Sequence, residues 1–293
     1  MKLFQIVGLL SILLLVGAFQ STQSISEAQR AENLSDELFG KGEHEAAFEK
    51  LLATITLYKK DKNWKKVVAC LLAAYRYEDY IPVHQGETYL RQAVELSNQY
   101  LPKNHIEKGN VYETLGEWYS LSEEYDSSII VLKTAVDIFK VVKDWKRNAV
   151  SLTSLASSYY HNGDLDNMFV CLDVAHQLAV KEQLDSYVFD IIYGYLGTYY
   201  YTTLDVEMAI YYNNRSLQLI ESQTETNDGD SFYLANLYNN QGLNYIQHFN
   251  LKRAKFCLSK SINIYQSIGV SFTEIIEPYD NYSEILYQLK QYD

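Results

Sequence analysis

Apolar residues recur at three- and four-residue intervals along nearly the whole chain from Ser26, broken at short polar turns. That period is helical, and segments of this length with such turns predict short antiparallel helices. The clearest stretch is Tyr112–Ala135, YETLGEWYSLSEEYDSSIIVLKTA. Its first half is helical in pattern, Glu123–Asp126 is an acidic turn, and the second half is helical again. The pattern predicts an αα-hairpin with small residues where the two helices approach.

The slot held by Gly116 recurs as a small residue at Ser35, Ala74, Ala156, Gly197, Gly242 and Ser283, at spacings of 39 to 45 residues. The small slot of the second helix holds Ala47, Gly86, Ser128, Ala209 and Ala254, with Met168 in the fourth copy. An aromatic slot downstream of the first holds Tyr77, Tyr119, Tyr159, Tyr200 and Tyr245, with Leu38 and Leu286 in the end copies. Small residues let helices approach and tyrosine fills the space between layers.

The series Tyr112-x2-Leu115-Gly116-x2-Tyr119, then Ser128-x3-Leu132-x2-Ala135, resembles the tetratricopeptide repeat, W-x2-L-G-x2-Y followed by A-x3-F. The resemblance covers Ser26 to Asp293. It implies an all-α fold, a right-handed superhelical solenoid of stacked antiparallel helix pairs. About seven repeats of roughly 40 residues, against the commoner 34, would span residues 25–293, the last incomplete. Ser222–Ser231 reads as a long surface link, and Pro82 interrupts the turn of the second copy. Asp293 falls at the turn of the seventh hairpin, so that hairpin lacks its second helix.

Residues 1–24 read as a signal peptide: Lys2, an apolar run Leu3–Phe19, and small residues at Gly17 and Ala18. An uncleaved anchor is the other reading of the run. The expectation is an exported protein, periplasmic or secreted, of bacterial type. Three Asn-x-Ser sequons at Asn33, Asn214 and Asn281 fall inside predicted helices, which suits that origin better than a glycosylated secreted chain.

Composition removes some classes. Net charge is −12, with 25 basic and 37 acidic residues and no basic stripe, which argues against nucleic acid. The 27 tyrosines suit layers that are half buried. Cys70, Cys171 and Cys257 have no paired spacing and read as small core hydrophobes.

No catalytic or cofactor signature is present. Gly40-Lys41-Gly42 lacks the spacing of a phosphate loop, and neither G-x-S-x-G nor H-E-x-x-H occurs. Glu43-His44-Glu45 has metal-ligand types, but neighbours on a turn diverge. The expectation is no enzyme, no cofactor and no metal.

In the family, the first helix of each repeat lines a concave groove that holds peptides or partner helices. Carried over, that face gives a central set of Tyr160, His161, Tyr195, Tyr201, Asn236, Asn239 and Asn240. It also takes in Gln29, Glu32 and Asn33 in the first copy, Val68, Leu71 and Leu72 in the second, and Glu277 in the last. Tyrosine supplies rigid contact area and amides pair with a peptide backbone. No Lys or Arg falls on the face, so an acidic C-terminal tail is disfavoured and a neutral or basic extended segment fits. The expected function is a non-enzymatic protein- or peptide-binding scaffold. The alternative is the sensing or regulatory N-terminal region of a larger CHAT-type peptidase or membrane sensor kinase, which the broken seventh repeat favours.

Overall fold

The computed structural model describes residues 26–77, 80–81, 85–222 and 228–290, with the side chains of 228–230 and 272–274 outside that set. The expected leader, the Pro82 turn, most of the Ser222–Ser231 link and residues 291–293 lie outside the described residues. Thirteen helices and no strand occur among the described residues. None of them is long and apolar enough to cross a membrane. The fold is all-α, built of stacked helix pairs, and divides into two compact units, Met1–Leu101 and Pro102–Asp293.

In the first unit α1 (Glu27–Gly40) packs on α2 (His44–Lys60), α2 on α3 (Trp64–Arg76) and α3 on α4 (Gly86–Tyr100). Ser35 shows why the slot must be small. It is 1% exposed and its hydroxyl donates to the Ala47 carbonyl at 2.8 Å, so α1 and α2 touch nearly backbone to backbone. Val68, Leu71 and Leu72 are buried, not groove lining as the sequence suggested. Helix α3 is apolar on more than one face and lies between α2 and α4, which cover it.

Glu32 also departs from expectation. Instead of presenting a bare charge it pairs with Lys66 Nζ at 2.7 Å and accepts from Tyr58 and Gln29. Burial pushes its carboxyl up, but Lys66, Tyr58 and Gln29 together outweigh that and hold it below the ordinary 4.5. A depressed folded value means the contribution is present above the unfolded value and is lost as pH falls through the folded one. Lys66→Met should therefore lower Tm at neutral pH, and the gap from wild type should close as the solution is acidified below 4.5. A gap independent of pH would show that the pair contributes only packing.

The second unit runs α5 (Ile106–Leu121), α6 (Tyr125–Val142), α7 (Trp145–His161), α8 (Leu165–Lys181), α9 (Ser186–Thr202), α10 (Val206–Glu221), α11 (Asp228–Gln247), α12 (Leu251–Ile268) and α13 (Phe272–Gln288). Each helix packs on the next. Starts are set by side-chain caps: Asp144, Asp164, Asp185, Asp205 and Asn250 each accept a backbone N–H three residues on. Ends are set by a left-handed residue, which lets the following N–H reach back into the last turn. Glu124 donates to the Tyr119 carbonyl at 2.8 Å and Asn250 to that of Tyr245 at 2.8 Å. Gly163 supplies the left-handed residue in one turn, whereas Leu204 and Phe249 do so in others at φ 64° and 54°.

The small slots close the pairs. A Cβ on Gly116 would lie 2.6 Å from Leu132 Cδ2, and one on Gly242 would lie 2.7 Å from Leu258 Cγ. The core of the central layers gathers Leu132, Leu152, Leu155, Met168, Leu172 and Ile192. Cys70, Cys171 and Cys257 are buried and none is in a disulfide. Burial pushes the Cys171 and Cys257 thiols up to about 11, so at neutral pH they are packing groups rather than nucleophiles.

Candidate functional site

Because each pair is closed by its small slot, the first helices of successive pairs come together as an inner layer. In the second unit α5 touches α7, α7 touches α9, and α9 touches α11. Two cavities open along that layer. The larger, about 440 Å³, runs from Glu117 on α5 past Thr153 and Ser154 on α7 to Tyr195 on α9 and Asn236 on α11. The smaller, about 290 Å³, lies between Tyr160, Tyr201, Asn240 and Glu277. Thr198 and Asn240 line both, so the two adjoin.

Of the residues chosen from sequence, Tyr195, Asn236 and Asn240 line the larger cavity, and Tyr160, Tyr201 and Asn240 the smaller. Asn236 is already engaged: it accepts from the Tyr265 hydroxyl at 2.6 Å and donates to the Phe232 carbonyl. Asn239 is 6% exposed and lines neither cavity. His161 is exposed at the end of α7, stacks on Tyr125 with ring centroids 5.2 Å apart, and lines neither cavity. The helical period places both on the inner helices. It does not show that Asn239 turns toward the core and His161 toward the turn.

The walls carry carboxylates and phenols. Burial, then the charge of Glu277 and the neighbouring Tyr160, raises the Tyr201 phenol. Tyr233, on the larger cavity, is raised by burial and by Asp190. Its hydroxyl points to the Asp190 carbonyl at 3.4 Å, while the buried Asp190 carboxylate accepts from Ser216. No Lys or Arg lines either cavity. Cations do reach inner-helix residues elsewhere: Arg147 on α7 donates to Asn110 on α5, as Lys66 does to Glu32 in the first unit.

Sequence reasoning missed Asn213 and Asn244. Both line the smaller cavity, at 2% and 0% exposure, and each has a carbonyl oxygen with no hydrogen-bond partner. Asn244 uses its amide N–H on Gln241 at 3.3 Å. A signal for Asn213 was present. It lies sixteen residues after the small slot, where the other complete pairs have Leu51, Leu90, Leu132, Leu172 and Leu258. All five of those leucines are buried. No group of three His, Cys, Asp or Glu able to hold a metal ion occurs among the described residues.

Structures with similar helix arrangements are known. BtubC from P. vanneervenii superposes with a TM-score of 0.59 at 16% identity, over 84% of this chain and 94% of that one. A Rap protein complexed with Competence and Sporulation Factor gives 0.61 at 18% identity, over 91% and 72%. A STAND signal-transduction ATPase with a tetratricopeptide repeat sensor, from Pyrococcus horikoshii, gives 0.64 at 15% identity, over 91% and 39%. The fold is tetratricopeptide-like. At these identities the likeness carries the helix arrangement alone. No family model matches the sequence, and no curated protein does.

Proposed function

We propose that the chain is a protein-interaction scaffold that holds an extended segment of another protein along the inner face of α5, α7, α9 and α11. The observation that carries this is the pair of adjoining cavities on that face, walled by tyrosines and amides without a single cation. Tyrosine faces give contact area at small entropic cost, and amides satisfy the N–H and C=O groups of an extended backbone. The walls include Glu117 and Glu277, so a neutral or basic segment is favoured over an acidic C-terminal tail. The Rap relative is similar in fold and is described with a bound factor. The leader-like residues 1–24 extend the proposal to an exported scaffold of bacterial type.

A second reading makes the repeats the sensing arm of a larger signalling protein. The similarity to a STAND ATPase described as carrying a tetratricopeptide repeat sensor, with 39% of that protein's chain matched, favours it. Both readings use the same inner face.

The test is an array of ten-residue peptides of graded charge, followed by calorimetry on the best binder with the full chain. Tyr195→Ala and Asn240→Ala should each weaken that binder by about tenfold or more, in line with loss of an aromatic anchor or a buried polar contact. Unchanged affinity in both variants would overturn the assignment to this face. Preferred capture of acidic peptides would overturn the charge preference.

A further inference from the structure

Two turns of the second unit break a rule that the other turns keep. Among the described residues, the left-handed position between helices is filled by glycine, as at Gly42 and Gly163, or by Lys, Glu or Gln, everywhere except at Leu204 and Phe249. Glycine adopts that conformation freely, and a polar side chain there reaches water. Leu204 and Phe249 adopt it while 73% and 92% exposed, so backbone and side chain are both placed against their preference. The two tips belong to successive pairs and flank one open hollow of about 510 Å³, whose walls also include Asp205, Glu207 and His248. Seven residues beyond each tip, Tyr211 on α10 and Phe256 on α12 are 52% and 57% exposed. Two successive pairs thus carry four large exposed apolar side chains at matching positions, which is not the scatter of single ones that any surface shows.

Charge indicates what covers them. Three residues beyond the tips, again at matching positions, stand Glu207 and Lys252, both exposed. Asp205 adds to the acidic side and Arg253 to the basic one. The start of α10 is therefore acidic and the start of α12 basic, although the two pairs are copies of one repeat. An anionic lipid surface would be repelled by the α10 half. A patch with one acidic and one basic half is instead its own complement when turned through a two-fold axis, because each half then meets the opposite half of the other copy.

We infer that this surface is an interface between two copies of the chain. In an isologous contact, Leu204 and Tyr211 of each copy pack against Phe249 and Phe256 of the other, and Glu207 of each faces Lys252 of the other. None of these residues lines either cavity of the inner face, so pairing leaves that face open in both copies.

The experiment is sedimentation equilibrium of the full chain over a range of concentrations. The weight-average mass should rise from that of one chain toward that of two. Phe249→Gly should weaken the association by about tenfold or more, as for loss of an aromatic anchor. Its Tm in dilute solution should hold or rise, because glycine suits φ 54°. Glu207→Lys and Lys252→Glu should each weaken association alone, as like charges meet. An equimolar mixture of those two variants should recover it, because both contacts across the axis then join opposite charges. A chain that stays monomeric throughout, or an association that Phe249→Gly leaves untouched, overturns the interface. A mass that climbs beyond two chains overturns the two-fold arrangement. A mixture no stronger than either variant alone overturns the pairing of Glu207 with Lys252. Flotation of a monomeric wild type with neutral phosphatidylcholine vesicles, lost in Phe249→Gly, would assign the tips to a lipid surface instead. A lower Tm for Phe249→Gly in dilute solution would show that the ring serves its own chain and overturn its place in the contact.

Discussion

Phe139→Ala should destabilise the second unit by about 3–5 kcal/mol, the range for removing a fully buried aromatic ring. Phe139 is 0% exposed on α6 and is held from two sides. Gly109 on α5 faces its edge so closely that a Cβ there would stand 2.8 Å from Phe139 Cε1, and the Arg147 guanidinium of α7 lies 5.8 Å from the ring centroid. The ring thus fills a space bounded by three helices that cannot easily collapse. Its partner glycine gives an internal control. Gly109→Ala alone should cost about 1–3 kcal/mol by overpacking, and almost nothing once Phe139 is alanine, because the new methyl then enters the void. Urea midpoints of the two single variants and the double variant measure that coupling. Strictly additive midpoints would show that residue 109 and the ring do not share the space.

Gly116→Leu should lower the urea midpoint by an amount corresponding to about 1–3 kcal/mol, the usual cost of overpacking. The side chain would meet Leu132, whose Cδ atoms already lie 2.6 and 3.3 Å from the position of a Cβ. Leu132 is 1% exposed and has no free direction in which to retreat. The layer is also tied by polar contacts. Ser128 donates to the Gly116 carbonyl at 2.7 Å, and its hydroxyl lies 2.8 Å from that of Ser158 on α7. Pushing α5 off α6 would stretch that chain, so the loss should reach the α6–α7 contact too. An unchanged midpoint would mean that α5 and α6 do not close on this glycine.

The packing of these pairs could be read from the sequence because it depends on residue size at a fixed interval. Gly116, Gly197 and Gly242 announce themselves by absence of a side chain, and the structure shows what each makes room for. The reduced cysteines were legible for the same reason: one thiol in each of three repeats, at positions that pack. The inner face was only partly legible. Periodicity says which residues share a side of a helix, but not how far neighbours cover that side. Hence Leu71 and Leu72 in α3 are buried by α2 and α4, and Asn239 is buried while its neighbour Asn240 is open to both cavities. Charge was harder still. Glu32 looks bare in sequence, and its partner Lys66 lies 34 residues away. Asn213 was missed because the repeat was aligned on its small residues, whereas the anomaly sits on the large residue opposite them.

The smaller cavity draws its walls from helices of four successive repeats: Tyr160 on α7, Tyr201 on α9, Asn240 on α11 and Glu277 on α13. In a stack where each layer is secured chiefly by its neighbours, such a cavity works as a rivet through the whole thickness. A guest seated there would add a tie between α13 and the inner helices α7, α9 and α11. The first trace of occupancy would then appear in amide exchange of that helix, one step removed from the chemistry that recognises the guest.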